Sequence, residues 1–135
     1  MAEHRDFQYL TREEFDRLLN AVHDERDRAL LLLLKHAGLN VHEACNLRFS
    51  DIEGSSIIVP RELAKNKKQR VIDISHLHLK FPSTIKTKPG DFIFSTRQSK
   101  KLTERRVQQI IARYSKKALK KRISPRALRN SFIIN

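Results

Sequence analysis

Apolar residues recur at helical spacing near the start of the chain, where Phe15, Leu18, Leu19 and Val22 share one face behind Leu10. Thr11 and Glu14 stand three residues apart, the spacing at which a side chain and a carboxylate satisfy each other's backbone N–H groups at a helix start. Residues 12 to 22 are therefore predicted as a helix. Asp24 is placed to cap a second helix, which runs through the uninterrupted apolar block from Ala29 to Leu34. A block that is apolar on every side belongs in the centre of the fold. Gly38 then occupies the site of a C-terminal glycine, and a short helix is expected from about Val41 to Leu47.

The periodicity then changes. Ile52-Glu53-Gly54-Ser55 reads as a turn, Ile57-Ile58-Val59 is β-branched, and Arg70-Val71-Ile72-Asp73-Ile74 gives a second strand. These two strands are expected to form a hairpin around the basic loop from Arg61 to Lys68. His76 to Pro82 fits either a short helix or coil. Helical spacing returns after Thr103, with Val107, Ile110, Ile111, Tyr114 and Ala118 in one stripe. Ser124-Pro125 reads as an N-cap followed by proline in the first helical position. No repeat or linker interrupts the chain, so residues 1–135 are expected to form a single domain. Its fold class is α+β, mostly helical, with a small antiparallel sheet or hairpin.

Composition adds the partner. Hydrophobic residues make up 39% of the 135 residues, enough for a core, and the net charge is +13. That charge is unevenly placed: residues 1–60 carry seven Lys/Arg against eleven Asp/Glu, whereas residues 61–135 carry twenty-one against four. A concentrated surplus of this size predicts a polyanionic partner. Nucleic acid fits better than a membrane surface, because no basic stretch has a strongly apolar, Trp-bearing opposite face. No apolar run is long enough to span a bilayer, and no basic-then-apolar leader opens the chain. With Cys45 as the single cysteine, an internal disulfide is excluded and a reducing, cytoplasmic, DNA-associated setting is expected. His76 and His78 lack a third ligand nearby in sequence, and no phosphate-cradling glycine loop occurs. No metal and no cofactor are expected.

Four stretches, in order, resemble the catalytic domain of the tyrosine recombinases, the phage integrase family. They are Tyr9-Leu10-Thr11-Arg12-Glu13-Glu14; Gly38-Leu39-Asn40-Val41-His42-Glu43 with Leu47 and Asp51-Ile52; Ala64-Lys65-Asn66-Lys67-Lys68-Gln69-Arg70-Val71; and Ile123-Ser124-Pro125-Arg126-Ala127-Leu128-Arg129-Asn130-Ser131-Phe132. Phe92-Ile93-Phe94 and Leu102-Thr103-Glu104-Arg105-Arg106-Val107 fit the family's segment between the last two. The resemblance implies a chemistry in which two arginines bracket a scissile phosphate, a tyrosine attacks it, and a hairpin lysine helped by histidine protonates the leaving oxygen.

Residue by residue, the resemblance gives Lys65 as the hairpin lysine, Arg129 as the second arginine and Glu43 as the helix glutamate. At three family positions this sequence departs: Asn40 stands for the first arginine, Arg126 for a histidine, and Asn130 for the histidine after the second arginine. The sequence stops six residues past Arg129, short of the family's tyrosine. Neither Tyr9 nor Tyr114 is expected to replace it. The expected function is duplex DNA binding within the integration and recombination family, without strand cleavage by this chain alone. Lys65, Lys67, Lys68, Arg70, Arg126 and Arg129 are the expected DNA contacts, and the chain is expected to be a monomer off DNA. Two other readings fit the same residues: part of an active integrase whose tyrosine lies beyond Asn135, or a regulator that pairs with an intact recombinase.

Overall fold

A computed structural model describes residues 10–64, 66–98 and 100–134. It has five α-helices, α1 (Arg12–Asn20), α2 (Glu25–His36), α3 (Val41–Asn46), α4 (Glu104–Leu119) and α5 (Pro125–Ile134). Three short strands, β1 (Ile52–Glu53), β2 (Ser56–Val59) and β3 (Arg70–Asp73), pair antiparallel in that order. The α+β architecture anticipated from periodicity is the one observed.

The capping arithmetic places the helix starts. Thr11 accepts from the Glu14 N–H while Glu14 accepts from the Thr11 N–H, and the Asp24 carboxylate accepts from the Asp27 N–H. Helix α1 ends at Asn20, two residues earlier than its apolar spacing suggests. The Arg28 guanidinium reaches back from α2 to the carbonyls of Leu19 and Val22, so those acceptors find a cation instead of a further helical turn. Leu30, Leu31, Leu33 and Leu34 of α2 are all fully buried, which confirms that helix as the centre of the core. Helix α5 packs along α2, and α1 packs against α4. Tyr114, on the inner stripe of α4, donates to the Asp27 carboxylate at 2.9 Å and so ties α4 to α2.

The sheet differs from a simple hairpin. Ile52 and Glu53, read from sequence as turn residues, pair with Ile57 and Ser56 as a two-residue edge strand. A segment that short leaves no alternation to detect. Across β2 and β3, Ile57 faces Ile72 and Val59 faces Arg70. This register puts the first residue of β3, a cation, beside the buried end of β2. The apolar triplet Phe92–Phe94 extends no strand and joins Arg48 through one isolated bridge.

At the joint between α2 and α3, Gly38 has φ +68°. A side chain is strained in that left-handed conformation, so Gly38→Ala is expected to destabilise the fold by about 1 kcal/mol. Chemical denaturation of the two proteins checks it, and equal midpoints would show that the joint relaxes.

Candidate functional site

The site begins at that joint. The chain leaves Gly38, turns into α3, and uses Asn40 as the helix cap. Asn40 Oδ1 accepts from the Glu43 N–H at 2.8 Å, and Glu43 Oε1 accepts from the Asn40 N–H at 3.0 Å. Glu43 is only 2% exposed, so its charge needs a partner. Arg70 supplies it from β3: Nη1 donates to Oε2 at 2.9 Å and Nη2 to Oε1 at 3.1 Å. Burial alone would raise the Glu43 pKa. The Arg70 bonds, the Asn40 N–H and the nearby Arg129 charge outweigh it and hold the carboxyl below its usual range.

Helix α5 completes the opposite wall. Ser124 accepts from the Ala127 N–H at 3.2 Å and Pro125 fills the first helical position. This start projects Arg126 and Arg129 towards α3. Arg129 Nε donates to the Gly38 carbonyl at 3.2 Å, which anchors the guanidinium by one nitrogen and leaves both Nη groups beyond that bond. Arg126 is exposed, and its side chain makes no hydrogen bond or ion pair among the described residues. Asn40, Val41, Glu43, Asn66, Arg70, Pro125, Arg126 and Arg129 together line an open cleft of about 690 Å³.

Of the residues predicted from sequence, Asn40, Arg70, Arg126 and Arg129 therefore meet in one cleft. Lys65 lies outside the described residues, as does Tyr9; the sequence neighbour of Lys65, Asn66, is on the cleft wall. Lys67 and Lys68 are exposed on the hairpin turn, where Lys67 adopts φ +58° and the Lys68 N–H donates to Asn66 Oδ1 at 3.1 Å. They do not line the cleft, and neither does Asn130, which follows Arg129 on α5. The paired state of Arg70 and the Gly38 anchor of Arg129 were not foreseen. Glu43 carried a signal for the first, since a carboxylate next to the apolar Ala44 and Cys45 requires a cation from elsewhere.

A basic edge runs on from the cleft. Arg126 also lines a second cleft with Arg122, Glu104 and Gln108, and Arg122 lines a third with Arg113, Lys116, Lys120 and Lys121. The first two hollows share Arg126 and the last two share Arg122, so the three adjoin along the α4–α5 turn. Lys121 is partly committed, because its Nζ lies 2.6 Å from the Glu14 carboxylate of α1. That ion pair, with the Thr11 backbone bond second, holds the Glu14 pKa below its usual value. Burial, then the bond to Asp27, raises the pKa of Tyr114. Burial likewise pushes the Cys45 thiol up to about 11, leaving it protonated at neutral pH. Among the described residues no helix is long and apolar enough to cross a membrane, and no cluster of three metal-ligating side chains occurs.

Comparison with known proteins gives a consistent result. Residues 8–135 match the phage integrase family. The tyrosine recombinase of Pseudothermotoga lettingae is 33% identical over 130 residues, covering 92% of this chain and 45% of its own. The tyrosine recombinase XerA of Pyrococcus horikoshii is 33% identical over 129 residues, covering 91% and 45%. The chain thus spans about half the length of the curated relatives it matches. Among solved structures, the XerA recombinase superposes with a TM-score of 0.71 at 25% identity, over 92% of this chain and 47% of that one. The lambda integrase catalytic core gives 0.68 at 17% identity, over 93% and 80%, a likeness of fold. The XerH recombinase bound to its difH substrate gives 0.71 at 20%, over 93% and 41%, likewise a likeness of fold.

Proposed function

Because the chain belongs to the phage integrase family of tyrosine recombinases, we propose that it grips the phosphate backbone of duplex DNA with the arginine cleft and the basic edge beyond it, and does not itself cut the strand. The observation that carries this reading is the continuity of charge from Arg129 and Arg126 through Arg122 to Arg113, Lys116 and Lys120. A row of cations at successive hollows suits the regular phosphates of a duplex. Lys67 and Lys68, exposed on the hairpin turn, add cations beside the cleft-lining Asn66, and the family resemblance assigns Lys65 to the same contact. The path is dominated by cations, so backbone contacts supply most of the affinity.

Loss of cleavage rests on the groups in the cleft. At residue 40 a neutral amide replaces the guanidinium that would brace a phosphate gaining charge, and its oxygen is already used as a helix cap. At residue 126 a permanently protonated arginine stands where a proton-exchanging imidazole belongs. Removing one such stabilising donor typically costs about 3 kcal/mol in the transition state.

Fluorescence anisotropy with a labelled duplex tests the binding half. Affinity is expected to fall by about a thousandfold or more between 50 and 200 mM salt. A nicked suicide duplex tests the other half: the 135-residue chain is expected to yield no covalent adduct. Salt-insensitive binding overturns the backbone reading, and an adduct on Tyr9 or Tyr114 overturns the loss of cleavage.

A further inference from the structure

The cleft holds a charge arrangement that its sequence positions do not announce. Residue 40 contributes no cation, yet a guanidinium enters the same cleft from the sheet. Arg70 spends two of its five N–H donors on Glu43, one from each Nη, and its side chain is 36% exposed where that of Glu43 is 2%. Its remaining donors are not engaged by Glu43, and the residue lines the cleft. Glu43 is the sole carboxylate among the described lining residues, and it already accepts two hydrogen bonds from Arg70 and one from the Asn40 N–H. It orients the guanidinium instead of confronting an incoming anion. Arg129, held by Gly38, approaches from α5.

We propose that Arg70 is a phosphodiester ligand of this cleft, held in place by Glu43 and acting opposite Arg129 in the role that Asn40 cannot fill. This rests on the duplex-backbone reading and narrows it to one residue pair. A bidentate carboxylate clamp fixes the plane of the guanidinium, so the remaining donors are presented without the loss of freedom that a solvated arginine would incur. The competing role for Arg70 is purely structural: neutralising a buried carboxylate and nothing more.

The two roles separate experimentally. Arg70→Gln, Arg70→Lys and wild type are compared for melting temperature and for the slope of log affinity against log salt with a duplex. A phosphate ligand predicts that Arg70→Gln lowers the slope by about one, while Arg70→Lys keeps the slope. Unchanged slopes in both variants, with melting temperature alone reduced, overturn the proposal and leave the duplex reading intact. A second measurement is independent of variant folding: inorganic phosphate is titrated into 15N-labelled wild type and the arginine Nε resonances are followed. Saturable shifts of Arg70 and Arg129 together support the site, even if the duplex fails to bind. Shifts confined to other arginines, or none, overturn it.

Discussion

Glu43→Ala is expected to lower stability by about 3 kcal/mol, which for a chain of this size lowers the melting temperature by about 10 °C. The carboxylate is buried, accepts both Nη donors of Arg70, and closes the capping box of α3 through the Asn40 N–H. Its removal leaves a half-buried guanidinium and an N–H without their acceptor, and opens a void beside α3. Glu43→Gln keeps the volume and one acceptor and is expected to cost less. Urea unfolding of the three proteins at pH 7 is the measurement. A loss below about 1 kcal/mol for the alanine variant would place the pair among ordinary surface ion pairs.

The same group gives the wild type a pH dependence of known sign. Its folded pKa lies below the ordinary 4.5, so the unfolded chain takes up a proton before the native one as pH falls. The stabilisation is fully present above that ordinary value and is lost as pH drops through the depressed folded value. Wild type is therefore expected to lose more stability than Glu43→Gln between about pH 5 and pH 3.

Neutralising the edge beyond the cleft is expected to have the largest effect on binding. Substituting Arg113, Lys116, Lys120 and Arg122 together by Gln removes four cations from a path in which each hollow shares a residue with the next. If all four meet phosphates, the salt slope falls by about three to four and affinity at low salt by more than about a hundredfold. Arg12 and Arg17 on α1 line none of the three clefts, and their substitution by Gln serves as the control. Four solvent-exposed changes leave the helix stripe Val107, Ile110 and Ile111 untouched, so the melting temperature should hold. The same loss per cation removed from both sets would mean that net charge, not this path, governs association.

How much of this was legible in the sequence follows from the range of each interaction. Helix starts were, because Thr11–Glu14 and Asp24–Asp27 are settled within one turn. The central position of α2 followed from an apolar block with no polar side. Strand β1 was not legible, since two residues carry no period. The cleft was half visible: Asn40, Arg126 and Arg129 could be placed by resemblance. Arg70 reads as one more hairpin cation until the β2–β3 register brings it to Glu43, 27 residues away in sequence. The Gly38–Arg129 contact, across 91 residues, exists only once α5 lies along α2. The basic edge likewise depends on the left-handed turn at Lys120, which brings Arg122 back beside α4.

The cap at residue 40 sets a stability–activity trade-off within a single side chain. Asparagine is among the strongest helix-starting residues, and here its oxygen is committed to the Glu43 N–H. An arginine has no acceptor to offer there, so installing the cation that phosphate chemistry favours forfeits about 1 kcal/mol of helix initiation. A variant that carries arginine at residue 40 meets that cost before any gain in phosphate contact.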